Sequence, residues 1–143
     1  MAIKDDNAIA RGFYDNLRTN PTLATVMVGT GSTPHNRVFY QSAEQEQAYP
    51  YIIFQPIAGA VRHRQGFDDL NMDVWQFSVR ATAAFKVNQI ETALIESIAA
   101  GITIGTLDNV GIVQDTTIGT EIEFRDQDGF VIQKIIRYQV WTT

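Results

Sequence analysis

Between Met72 and Thr82 side-chain character alternates residue by residue: Trp75, Phe77, Val79 and Ala81 fall on one face, and Gln76, Ser78, Arg80 and Thr82 on the other. A period of two is the signature of a half-buried strand. Such a strand needs hydrogen-bonding neighbours and a cover for its apolar face, so the rest of the chain has to supply further strands and amphipathic elements. Its composition leans that way, with sixteen Ile, eleven Val and fourteen Thr against five Leu. β-Branched side chains favour the pleated sheet over helix bundles.

From Asp5 to Asn20 the apolar residues Ile9, Phe13 and Leu17 fall four apart while Arg11, Asp15 and Arg18 point elsewhere, which predicts a helix. Asp5 and Asp6 suit the positive end of its dipole, and the pre-proline restriction at Asn20-Pro21 predicts its stop. Gly29 to Pro34 reads as a loop into a short strand, Arg37–Gln41. The polar stretch from Ser42 to Ala48 precedes Tyr49-Pro50, which opens an apolar strand over Tyr51–Phe54. Pro50 and Pro56 sit at its two ends, where a missing N–H is tolerated. Gly59 to Asn71 is neither helical nor alternating and reads as a long loop or extended hairpin arm. A second helix is expected to start at Asn88, with Glu91 returning the bond to the cap, and Ile90, Leu94 and Ile98 form its core stripe. Gly101 and Gly105 end it, and Asn109–Ile118, with Val110, Ile112, Gln114 and Thr116 on one face, reads as another strand.

The last thirty residues predict a hairpin from Glu121 to Trp141 turning at Asp126-Gln127-Asp128-Gly129. A two-residue turn on Asp128-Gly129 would oppose Phe124 to Gln133 and mix apolar with polar residues. A three-residue loop ending on Gly129 pairs Phe124 with Ile132 and gathers Ile122, Phe124, Phe130, Ile132, Ile136, Tyr138 and Val140 on one face. That register is the expected one. Lys134 is the exception on the apolar side, and a lysine near an edge can snorkel outward or face a neighbouring chain.

Helix, strand, strand, arm, strand, helix, strand and hairpin, without βαβ alternation, make an α+β fold: a mostly antiparallel sheet with two helices on one face and a long β-arm. At 143 residues the chain is one domain's worth, without repeat, low-complexity tract or linker. Its net charge of −5 disfavours tight binding of nucleic acid over a broad basic surface. Zero cysteine excludes disulfides, Cys-ligated metal centres and thiol nucleophiles, and fits a reducing compartment. Met1-Ala2-Ile3-Lys4-Asp5-Asp6 has acid where a secretory signal needs base, and the apolar windows are far shorter than the roughly 20 residues that span a bilayer. A soluble protein made in the cytoplasm is expected.

Reactive groups are sparse. His35 follows Pro34 in a turn, and His63 lies between Arg62 and Arg64, whose charges disfavour its protonation. Ser32, Ser42, Ser78 and Ser97 occupy no nucleophile elbow. Asp126-x-Asp128-Gly129 resembles part of a calcium loop, but Phe130 stands at position five and no Glu at position twelve, so a hairpin turn is preferred. Gly29-x-Gly31-x-x-Pro34 lacks the third glycine of a dinucleotide fingerprint and leads into a strand. No catalytic set, metal site or cofactor is expected. The arm differs: Arg62, His63, Arg64, Phe67, Asp68 and Asp69 bring base, aromatic and acid within eight residues. They could meet a neighbouring subunit, as Lys134 could, or form an ordinary solvated loop.

In order and spacing these elements resemble the tail terminator, or tail completion, proteins of long-tailed bacteriophages over nearly the whole chain. The resemblance rests on the amino-terminal helix running into Asn20-Pro21-Thr22-Leu23, on Arg37-Val38-Phe39 and on Tyr49-Pro50-Tyr51-Ile52-Ile53-Phe54. It continues through Asp73-Val74-Trp75-Gln76-Phe77-Ser78-Val79, the Ile90–Ile98 helix, Asp128-Gly129 and Tyr138-Gln139-Val140-Trp141. It implies a virion protein at the head-proximal end of the tail: a homo-oligomeric ring, a hexamer in that family, that docks on the tail tube protein, stops tube polymerisation and faces the head connector or neck. DNA would pass through the lumen without specific binding, and no membrane is involved. The alternatives are another virion ring component, such as a head–tail joining or tube protein, and a small α+β enzyme or ligand-binding module with its site in the Gly59–Asn71 arm.

Overall fold

The computed structural model describes residues 6–29, 37–42, 48–62, 70–100, 111–114, 120–126 and 129–142. Helix α1 spans Asp6–Thr19 and turns Ile9, Phe13 and Leu17 fully inward, as their spacing predicts. The stop at Asn20-Pro21 is also a start. Asn20, in extended conformation, accepts the Leu23 amide on its side chain at 3.1 Å, and Pro21 opens α2, Pro21–Met27, where a missing N–H costs nothing. The chain therefore has three described helices where two were expected, and α2 buries Leu23, Ala24 and Met27.

Strand β1, Val38–Tyr40, lies parallel to β2, Tyr51–Arg62, which is antiparallel to β3, Leu70–Ala81. Proline does not end β2. Pro56 faces Trp75 and Ala58 faces Val74, so Ile57 is the extra residue of a register shift, and the strand resumes for five more pairs. The expected arm is thus a hairpin stem through Arg62↔Leu70.

Helix α3 runs Ala84–Ala99 from an N-cap at Ala83 that offers no side-chain bond. The expected cap at Asn88 is displaced: Asn88 and Glu91 lie inside the helix, and their three-residue spacing places both on one side of it. Ile90, Leu94 and Ile98 are buried as expected.

Strands β4, Gly111–Gln114, and β5, Thr120–Asp126, share one edge of β6, Gly129–Thr142. β4 faces Tyr138–Trp141, β5 faces Gly129–Ile135, and β3 holds the other edge. The sheet order is β1-β2-β3-β6-β4 with β5 beside β6, antiparallel throughout except for β1–β2. The fold is α+β.

The β5–β6 register differs by one residue from the expected one: Asp126 pairs with Gly129 and Phe124 with Val131, not Ile132. Ile122 and Phe124 therefore stand in register with Gln133 and Val131, apart from the Ile132, Ile136, Tyr138 and Val140 face. The premise of a single dry face fails here. Val131 is fully buried outside the main core cluster, so β6 carries apolar residues on both of its sides.

One core lies between the helices and the sheet face formed by Ile52, Phe54, Trp75, Phe77, Val79, Ala81, Ile136, Tyr138 and Val140. Phe13 is at its centre, with ring centroids 5.0 Å from Phe77, 5.7 Å from Trp75 and 6.1 Å from Phe54. Offset and edge-on aromatic contacts of this kind add to the area buried.

Candidate functional site

Of the residues singled out in the sequence, Arg62 closes the β2–β3 stem opposite Leu70, while His63, Arg64, Phe67, Asp68 and Asp69 lie outside the described residues. Whether the arm meets a partner is therefore untouched by the geometry of its stem. His35 and Ser32 also lie outside. Ser97 is buried and donates to the Ala93 carbonyl of its own helix at 2.6 Å, and Ser78 is buried within β3. Asp126 and Gly129 face each other across the hairpin, in agreement with the turn reading. Among the described residues no group of three or more His, Cys, Asp or Glu is placed to hold a metal ion.

Lys134 has a different setting from a free edge. It lies in register with Val79 on the helix-covered side of an inner strand, where its Nζ is 2.7 Å from Glu91 Oε2 and donates to Asn88 Oδ1 at 3.4 Å. The two α3 side chains read as a cap are thus the counterpart of the one charge on the apolar face of β6. Tyr138, four residues along that face, is 3 % exposed; burial, and then the Glu91 carboxylate, push its phenol up to about 12. Helix α3 is therefore fixed to the sheet by a small polar cluster set into apolar packing.

The helix-free face of the sheet is built from cross-strand rungs. Arg80 Nε donates to Gln133 Oε1 at 2.7 Å, and Arg137 Nε to Gln76 Oε1 at 3.2 Å, each pair being register partners of β3 and β6. The Arg80 guanidinium also lies 5.9 Å from the Tyr51 ring, which stacks on Tyr49 at 5.1 Å and meets Phe39 edge-on at 6.1 Å. The alternation of β3 predicted that Gln76 and Arg80 share this face. It did not reveal their partners, which come from a strand more than fifty residues away.

On the other side of the molecule α2 and α3 border a groove of about 590 Å³. Its walls carry short side chains, Thr22, Thr25, Thr92 and Ala93, with Lys86 toward one end of α3 and Glu96 toward the other. Phe85, 67 % exposed, stands at the Lys86 end. The sequence reading missed this feature because it missed α2; the Asn cap, the N1 proline and the Leu23–Met27 spacing were the available signals. No helix among the described residues is long and apolar enough to cross a membrane.

No protein-family model and no curated protein sequence matches the chain. Solved structures do match it, among them a chain of the virion of a native gene transfer agent particle. That match has a TM-score of 0.66 and 14 % identity and covers 96 % of this chain and 98 % of the other. At such identity the likeness is one of fold, and it extends over nearly the whole length of both chains.

Proposed function

We propose that this chain is a non-enzymatic structural protein of a phage-type virion, and within the virion a tail terminator: a homo-oligomeric ring, six-fold as in the family it resembles. The ring would close the head-proximal end of the tail tube, stop its polymerisation and present a docking surface to the head connector, with DNA passing through its lumen. The observation that carries this reading is the end-to-end likeness to a chain of a gene transfer agent virion. Two further features support it. The outermost described strands, β1 on one side and β4 and β5 on the other, are unlike each other, and unlike edges suit head-to-tail contacts, which form a ring where the rotation closes. Among the described residues, Ser97 is bonded within its own helix and the Lys134–Glu91 pair joins α3 to the sheet.

The test adds the purified protein to polymerising tail tubes and reads tube length and the position of a label on the chain. A terminator arrests growth and labels one end of each tube. A chain that labels tubes along their length is a tube or other ring component, and one that never associates with tubes contradicts the assignment.

A further inference from the structure

The groove between α2 and α3 belongs to no part of the ring-closing account, which uses strand edges. It has the shape and charge order of a contact surface. Lys86 and Glu96 lie ten residues apart on α3, about 15 Å along the helix axis at 1.5 Å per residue. Among the described residues neither has an ion-pair partner. Between them the short side chains of Thr22, Thr25, Thr92 and Ala93 line the groove together with Val26, Asn88 and Gln89, and they let another helix approach closely. Phe85, three and seven residues before Asn88 and Thr92, shares their side of the helix and leaves two-thirds of its surface in water. A large exposed aromatic beside a groove of small residues is the arrangement found at anchored interfaces.

The charge order selects the occupant. A segment lying in the groove has to offer acid beside Lys86 and base beside Glu96, about 15 Å apart. Helix α3 itself, turned end for end, offers both. We propose that the groove is a two-fold contact between copies of this chain, in which α3 of one packs antiparallel on α3 of the other. Lys86 of each copy then meets Glu96 of the second. Gln89 lies opposite Ala93 of the second copy, a long side chain against a short one. Phe85 of each copy covers the last α3 turn of the other. The contact is isologous, every pair being made twice, and so differs in kind from a head-to-tail ring contact. Where rings form, it joins two of them face to face or joins subunits before the ring closes.

The native chain has no cysteine, so introduced thiols report only on each other. Lys86→Cys and Glu96→Cys proteins are prepared separately, mixed, and oxidised alongside each variant alone. In the two-fold arrangement position 86 faces position 96, whereas two positions 86 are about 15 Å apart, beyond the roughly 7 Å Cα limit of a disulfide. The mixture is expected to form a mixed disulfide dimer at least about tenfold faster than either variant alone. Equal rates, or no mixed disulfide, overturn the proposal. Sedimentation equilibrium supplies an independent reading without thiols. Lys86→Glu and Glu96→Lys each place two like-charge pairs in the contact and should weaken dimerisation about tenfold, and the double reversal Lys86→Glu/Glu96→Lys should restore it. Single reversals without effect, or a double that fails to recover, overturn it. Ring formation is followed by mass on the same samples, so a ring that assembles without the mixed disulfide removes this contact and leaves the terminator reading in place.

Discussion

The two faces of the sheet solve the same problem in opposite ways. Under the helices, Trp75, Phe77, Val79 and Ala81 are dry and meet an aromatic cluster centred on Phe13. On that side the Lys134 cation is matched by Glu91 and Asn88 of the covering helix. On the bare side the same strands carry Arg–Gln rungs whose members remain partly in water and need no helix. Most of the buried apolar side chains thus lie on one face, while the other buries Tyr51 and Val131 and otherwise carries polar rungs.

The contrast is broken most severely at Phe13. Phe13→Ala removes the ring that touches Phe54, Trp75 and Phe77 and is expected to cost about 4 kcal/mol, read as a lowered midpoint in urea.

Alkaline titration acts on the same face. Tyr138 ionises near 10 in the unfolded chain and at about 12 in the folded one, so between those values the folded state holds the extra proton. The Tyr138 contribution to stability is constant below about pH 10 and falls by about 2–3 kcal/mol as pH rises to about 12. Urea titrations of Tyr138→Phe across that range should lack this component of the slope; an unchanged slope would remove Tyr138 as its source.

The Lys134 pair sharpens the comparison, because it is a charge on the dry side. Lys134→Ala leaves Glu91 beside Tyr138 without its cation and should cost about 1–2 kcal/mol, a moderate figure because the two side chains keep 18 % and 22 % of their surface exposed. Lys134→Met combined with Glu91→Leu should recover most of that loss in the same unfolding assay. The smallest effect belongs to the bare face: Arg137→Ala removes only the exposed bond to Gln76 and should change stability by less than about 0.5 kcal/mol. A loss comparable to that of Lys134→Ala would mean that the rungs hold the sheet together.

What could be read from the sequence follows from how local each signal was. The β3 alternation and the Ile9, Phe13, Leu17 and Ile90, Leu94, Ile98 stripes repeat within one element, and all three emerged as written. Helix α2 has seven residues, too few to show a period, and its N1 proline was read only as the end of what preceded it. The β5–β6 register was chosen by asking for a single dry face, but Val131 is buried on the opposite one. Lys134 stood out as an anomaly, and its explanation lay on α3, more than forty residues away in sequence. Non-local pairing of this kind leaves no periodicity to find. The groove had no counterpart in the sequence reading, since one of its walls was not seen. The arm residues His63, Arg64, Phe67, Asp68 and Asp69 remain a sequence-based expectation.

The central claim is that this chain works as a ring of identical subunits. Light scattering on the purified protein, with images of the same sample averaged end-on, tests it most directly. The account predicts a discrete species at a fixed multiple of 16.0 kDa with rotational symmetry around an open lumen. A strict monomer at every concentration, with and without tail tubes, would contradict it.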